Sequence, residues 1–342
     1  MEKIRVGVVG TGFISDWVIT GGRQDPRFEV VAICSRAQST ANQFANKHQI
    51  PYTFTSLEVM AASPLIDAVY IASPNYMHAS QSILCMKHKK HVLCEKPLAS
   101  NASEVREMIR VAKEEKVVLM EAMRTTLTPN FLSVRNHLKE IGAMRRYFAS
   151  YCQYSSRYDK FKEGIVLNAF RPELSNGAIM DIGVYTIYPL IALFGRPDKI
   201  YADGVMLPSG VDGQGTAVFT YKGMNATIMY SKIADSFLPT EIQGENGTIT
   251  LNRINIINKV TLTPHLPPSS GRGMRPDPLD ISYQTEKDEY YYEVAEFINL
   301  IQSGKMESEI NSLSCSLATI ECIDEIRKQI GVVFPADKTR KL

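Results

Sequence analysis

The sequence predicts an α/β chain in two parts: a doubly wound parallel sheet over residues 1–123, then a second domain of antiparallel hairpins and helices over 124–342. Three observations predict it. Continuous apolar runs alternate with helical periodicity up to Met123, a glycine pair sits at the first strand-to-helix junction, and beyond Met123 apolar residues recur at every second position.

The runs KIRVGVVG, FEVVAICSR, IDAVYIASP, HVLCEKP and VVLMEAM have strand length and are too continuously apolar for strands wetted on one face. Between them QSTANQFANKHQI, HASQSILCMKHKK and NASEVREMIRVAKEEK repeat apolar residues at three and four positions, as a helix does. Ser100, with Ser103 and Glu104 following, marks the start of the last of these. A βαβα order argues for a parallel sheet covered on both faces.

Past Met123, RRYFASYCQYS, KIYADGVML, TAVFTYKG, MNATIMYSK and EIQGENGTITLN alternate in polarity, and Lys222-Gly223 and Glu245-Asn246-Gly247 have the composition of hairpin turns. Between the first two lies ELSNGAIMDIGVYTIYPLIALFG, a helical run on which Asp181 and Tyr185 stand four residues apart and share a face. A carboxylate and a phenol so placed can hold and deprotonate one alcohol; the alternative is a capping aspartate and a core tyrosine. The Pro/Gly-rich stretch 264–280 reads as a surface loop with Arg272 and Arg275 solvated. Two helical segments close the chain, EYYYEVAEFINLIQSG and SLSCSLATIECIDEIRKQIG, whose Tyr and Cys stripes suit packing.

Composition excludes several classes of function. With 38 basic and 36 acidic residues and no polybasic run, nucleic acid is not an expected partner. The apolar runs look too short to span a bilayer, and Lys3-Ile4-Arg5-Val6 already reads as a strand, so neither a membrane anchor nor a signal peptide is expected and the location should be cytoplasmic. Six cysteines without a CxxC pair suggest buried, reduced thiols, with no metal site and no disulfide scaffold.

Chemistry is expected at the strand ends. Gly10-Thr11-Gly12-Phe13-Ile14-Ser15 joins a strand to a helix, and the glycine pair permits the tight turn and close approach that a dinucleotide pyrophosphate needs. Ser15 stands where a third glycine is usual. At the end of the second strand Ser35 and Arg36 replace the carboxylate that would hold ribose hydroxyls, which suits the 2′-phosphate of NADP, with NAD the other possibility. Lys96 follows a buried-looking strand, so it must be solvated, partnered or chemically active. Pro97 fixes the turn and biases Lys96 toward an extended backbone.

Taken together, the Gly10/Gly12 turn, ASPNYMH at 72–78, CEKP at 94–97 and NGAIMDIGVYTIY at 176–188 resemble the Gfo/Idh/MocA family, and Tyr185 is similar to the branch of glucose-fructose oxidoreductase, dimeric dihydrodiol dehydrogenase and xylose dehydrogenase. The resemblance implies a Rossmann domain followed by an α/β domain on a large, open, mostly antiparallel sheet. It implies hydride transfer between NAD(P)(H) and a secondary alcohol or carbonyl of a sugar, cyclitol or trans-diol. By the same resemblance Lys96 faces the nicotinamide in its neutral form and assists, Tyr185 exchanges the hydroxyl proton, and Asp181 accepts a hydrogen bond from the substrate. Ser73, Pro74 and Asn75 would border the cofactor, with Asn75 near the nicotinamide ribose and Pro74 shaping the turn, and Glu121 would lie close to the nicotinamide amide. His78 would line the site or bond to backbone, while Glu95 would orient the loop or pair with a cation. Arg124 departs from the aromatic residues usual there, and Ser175 and Asn176 from glycines. A homodimer through the exposed sheet face is expected. Two other readings stay open: a non-catalytic dinucleotide-binding sensor, and a reductase of a non-sugar carbonyl or imine.

Overall fold

The computed structural model describes residues 2–266 and 276–338, so Arg272 and Arg275 lie outside the described residues. Strands β1 (Ile4–Val9), β2 (Phe28–Cys34), β3 (Tyr52–Phe54), β4 (Ala68–Ile71), β5 (His91–Glu95) and β6 (Leu119–Ala122) form one sheet in the order β3-β2-β1-β4-β5-β6. Every pairing in it is parallel. Helices α1 (Phe13–Gly22), α2 (Gln38–His48), α3 (Leu57–Ala62), α4 (His78–Lys87) and α5 (Ala102–Glu115) connect the strands. Strand order reverses beside β1, so the carboxyl ends of β1 and β4 open the crevice where ligands of such sheets bind. Helix α5 begins one residue later than expected: Asn101, not Ser100, is the cap, and its side-chain oxygen accepts from the Glu104 N–H at 3.0 Å.

The second part contains α6 (Pro129–His137), β7 (Met144–Cys152), α7 (Tyr158–Lys162), α8 (Val184–Phe194), β8 (Lys199–Met206), β9 (Asp212–Tyr221), β10 (Met224–Ser231), β11 (Thr240–Gly244), β12 (Gly247–Leu251), β13 (Val260–Pro264), β14 (Leu279–Asp280), α9 (Glu289–Ser303) and α10 (Leu313–Ile330). Its eight strands run β14-β13-β12-β11-β7-β10-β9-β8. Only β7 with β10 pairs parallel; the other neighbours are antiparallel. Tyr221 faces Met224 across the Lys222-Gly223 turn, as the composition of that stretch predicts.

Alternation puts Tyr147, Ala149, Phe219, Ile228 and Tyr230 on the face that packs against α8 and α10. That core continues without a break onto one face of the parallel sheet, through Val105 and Met108 of α5. The opposite face is covered by α1 and, from far along the chain, α9: Tyr290, Val294 and Phe297 share a core with Val6, Val8, Ile19 and Phe28. Gly21 permits this docking, since a Cβ there would lie 2.8 Å from that of Tyr290. A division at Met123/Arg124 therefore separates the two sheets but not their covering layers. Against the expectation from run lengths, the helical stretch Pro172–Phe194 is long and apolar enough to cross a bilayer by length and composition, but 78% of its apolar window is buried inside the protein. It is a core element of this fold.

Candidate active site

Gly10 carries the first turn with a φ of +105°, and a Cβ there would stand 2.6 Å from the Ala72 carbonyl oxygen at the end of β4. Only glycine fits. A Cβ on Gly12, by contrast, would meet nothing within 4 Å, so open space lies directly over the cap of α1 and its unsatisfied N–H groups. Ser15 substitutes for the third glycine by turning its polar atom to use: it is fully buried and its hydroxyl donates to the Gly10 carbonyl at 2.9 Å. Thr11 and Phe13 are partly or largely exposed around this turn, and Ile14 packs on the α1/α9 core. Ser35 and the exposed Arg36 follow β2, and the Arg36 guanidinium makes no ion pair among the described residues. A glycine turn open above Gly12, the N–H groups at the start of α1 and the Arg36 guanidinium fit NADP.

Lys96 leaves the end of β5 into a cis peptide with Pro97. Its side chain is 12% exposed and points at the segment before α8: Nζ donates to the Asp181 carbonyl at 2.8 Å, lies 3.3 Å from Asp181 Oδ1, and stands 4.8 Å from the centre of the Tyr185 ring. The expected α-helical spacing does not hold here, because Ile179–Gly183 is a π-helical turn. Lys96, touching both residues, is what joins Asp181 to Tyr185. Asp212, fully buried, caps that turn by accepting from the Ile179 N–H at 2.7 Å.

A second lysine was not foreseen. Lys232, buried just beyond β10, bonds the other Asp181 oxygen, Oδ2. Burial alone would raise the Asp181 carboxyl, but Lys232 and Lys96 outweigh it and hold it well below the usual range. Burial likewise acts against the Lys96 ammonium, yet Tyr185, Asp181 and Glu95 together raise it above its ordinary value. The surroundings of Lys96 favour its ammonium form, where the sequence suggests a neutral lysine beside a positive nicotinamide ring. Asp181 is a shared counter-ion, with 32% of its side chain still exposed.

The Tyr185 ring has Tyr151 edge-on at 5.7 Å and the Arg124 guanidinium 5.7 Å from its centre. Arg124 is buried, bonds the Tyr290 hydroxyl, and pairs with Glu289 at 3.2 Å. From Tyr290 the contacts run on to Trp17 at 6.2 Å and from Trp17 to Phe13 at 4.9 Å. An aromatic wall thus links the glycine turn to Tyr185.

The remaining candidates divide into loop holders and groups near the open cleft. Asn75 donates to the Ser175 carbonyl at 2.8 Å, crossing from the first sheet's loops to the second domain. Pro74 begins the short turn before α4, and the Ser73 hydroxyl donates to Gln81 at 2.6 Å. His78 is buried with Nδ1 2.9 Å from the Pro97 carbonyl and Nε2 2.8 Å from that of Ser73, so it ties the Asn75 turn to the Lys96 turn through backbone. Glu95 turns inward and accepts from the Tyr70 hydroxyl at 2.6 Å. Glu121 is 2% exposed and accepts from the Leu98 N–H at 3.0 Å; burial pushes its carboxyl up to about 7. No cluster of three metal-ligating side chains occurs among the described residues. One surface cavity between β8 and α10 and another along α9 lie apart from this cluster.

The chain is similar to known proteins over nearly its whole length. A family described as oxidoreductases with an NAD-binding Rossmann fold matches residues 4–123, and the GFO/IDH/MocA C-terminal domain matches residues 137–250. An NADP-dependent scyllo-inositol 2-dehydrogenase of Bacillus subtilis is 49% identical over 336 residues, covering 98% of this chain and 99% of that one. A trans-1,2-dihydrobenzene-1,2-diol dehydrogenase of Danio rerio is 31% identical, covering 98% and 99%. The fold is shared with a 3-ketoreductase of Actinomadura kijaniata solved with NADP, at a TM-score of 0.83 and 23% identity over 96% of this chain and 98% of that one.

Proposed function

The chain belongs to the GFO/IDH/MocA family of oxidoreductases, and on that premise we propose that it oxidises a secondary hydroxyl of a cyclitol, with scyllo-inositol the first candidate. It is an NADP-dependent dehydrogenase acting on CH–OH groups, not a non-catalytic sensor. The observation that carries the reading is the Lys96 ammonium 4.8 Å from the Tyr185 ring, fixed there by Asp181 at 2.8 Å.

Oxidising an alcohol removes one hydride from carbon and one proton from oxygen. NADP, when bound, supplies the hydride acceptor. The proton is left to this chain: Tyr185, once its own phenolic proton has passed to solvent, would take it from the substrate hydroxyl as the phenolate. The Lys96 ammonium stabilises the negative charge that builds on oxygen as that proton leaves. Asp181 keeps Lys96 in place and turns its remaining exposed surface to a neighbouring hydroxyl. Glu121 and His78 hold the Lys96-Pro97-Leu98 turn from behind, and Arg36 offers its guanidinium to the 2′-phosphate.

A homodimer through the open face of the eight-stranded sheet is part of this proposal. Phe148, Val218 and Met229 point out from that face, and Tyr201 is 58% exposed on β8. Six free cysteines support a reducing, cytoplasmic setting.

Assay of inositols, aldoses and trans-diols for NADP-linked absorbance change tests the substrate class. The proposal expects an inositol to give the highest kcat/KM; an aldose or aromatic diol preferred by tenfold or more would reject it.

A further inference from the structure

The chain leaving β7 crosses to the mouth of the cofactor cleft before it enters α7. Its course is fixed by backbone: the Ser155 N–H donates to the Lys232 carbonyl at 2.9 Å, and the Tyr158 N–H to the Ser155 carbonyl at 2.9 Å. Arg157, within that turn, is thereby linked through Ser155 to Lys232, the residue that anchors Asp181. Its guanidinium lies 5.9 Å from the centre of the Phe13 ring, and Phe13 is the first residue of α1, 54% exposed beside the glycine turn.

The neighbouring cations are all neutralised. Lys160 pairs with Glu163 at 2.7 Å, Lys162 with Asp159 at 2.7 Å, and Arg171 with Glu173 at 3.5 Å. Arg157 has no carboxylate partner, and its guanidinium no hydrogen bond, among the described residues. An aromatic face positions a guanidinium without using its N–H donors, so all five stay available to an anion.

We propose that Arg157 is a cofactor-binding residue contributed by the second domain, which closes on the pyrophosphate of the bound dinucleotide. The proposal rests on the reading of Gly10–Ser15 as the seat of NADP. The pyrophosphate is the anion that belongs at the start of α1, and the planar fork of arginine matches two phosphate oxygens at once. Arg157 then serves a part of the cofactor common to NAD and NADP, whereas Arg36 serves only the 2′-phosphate. One domain sets the choice of nucleotide, and the other sets how firmly either is held.

Dissociation constants of NADP, NAD and adenosine 2′-monophosphate, measured by calorimetry on the full chain, test this. Arg157→Ala should weaken NADP and NAD by the same factor, about tenfold for one lost charge-assisted contact. Adenosine 2′-monophosphate, which has no pyrophosphate, should bind unchanged. Arg157→Lys, which keeps the charge, should lose less. Arg36→Ala should weaken NADP and adenosine 2′-monophosphate but not NAD. Arg157→Ala protein that binds both dinucleotides within twofold of the parent, or that loses affinity for NADP alone, would overturn the assignment. Parent protein that binds neither dinucleotide would overturn the cofactor seat itself, and the assignment with it.

Discussion

Asp181 and Glu121 flank the same lysine turn, one in front and one behind, and their surroundings shift them in opposite directions. Asp181 lies between Lys96 and Lys232, which keep it ionised against the cost of burial. Glu121 has one backbone N–H and no cation bonded to it, and burial lifts it to about 7. Both carboxyls lose water; only one gains positive partners. The difference separates two jobs that the sequence presents alike, since each acid follows an apolar run. In the proposed mechanism the charge in front of Lys96 serves proton chemistry on a ligand, while the acid behind it holds the turn through the Leu98 N–H.

The largest effect that could break this contrast comes from the lysine between them. Lys96→Met should lower turnover by about 10²- to 10⁴-fold while the dissociation constant of NADP changes little. Should turnover survive and NADP binding fail instead, Lys96 would belong with the bracing groups.

Asp181→Asn comes next. It leaves Lys96 and Lys232 facing each other without a carboxylate, and should cost on the order of 2 kcal/mol of stability. Lys232→Met in the Asp181→Asn background should recover part of that, because one stranded cation is gone. A double-mutant cycle from urea unfolding reads the coupling directly. Strict additivity would mean that the two side chains do not share the charge.

Glu121 should give a smaller, pH-dependent effect of the opposite sense. Its folded pKa of about 7 exceeds the ordinary 4.5, so between those values the folded protein keeps a proton that the unfolded chain has released. That contribution to stability is fully present below the unfolded pKa and is lost as the pH rises through the folded one. Asp181, with a lowered folded pKa, does the reverse: its contribution is present above the unfolded value and lost as the pH falls. Glu121→Gln should therefore be more stable than the parent near pH 8, by roughly 2 to 3 kcal/mol, with the gain fading toward pH 4 to 5. A gain of equal size at both pH values would assign it to packing and not to charge.

The contrast also marks where the sequence stops being readable. The parallel sheet is legible because its strands are buried on both faces and read as unbroken apolar runs, with Gly10 at a junction that only glycine fits. Strand β3 and helix α3 are too short, at 3 and 6 residues, to leave a periodic pattern. The docking of α9 beside α1 is hidden, since periodicity shows that a helix has an apolar face but not which sheet it covers. Lys96, Asp181 and Tyr185 stand out by motif, yet the partnership of Lys232 with Asp181 joins residues 51 apart in the chain. One signal was available: MNATIMYSK, like HVLCEK, is a buried strand that ends in lysine. The π-helical turn was not legible, because a spacing of four reads as α-helix. Nor was the state of Glu121, which depends on how completely α8 and α10 exclude water.

The account turns on Tyr185 as the residue that takes the proton. Tyr185→Phe removes one oxygen and leaves the ring against Lys96, Tyr151 and Arg124. Single-turnover formation of NADPH from scyllo-inositol, followed by stopped-flow absorbance with NADP saturating, isolates the chemical step. The rate should fall about 10²- to 10⁴-fold, with NADP affinity unchanged. A variant that reduces NADP at the parental rate would contradict the proton role and leave Tyr185 a packing residue.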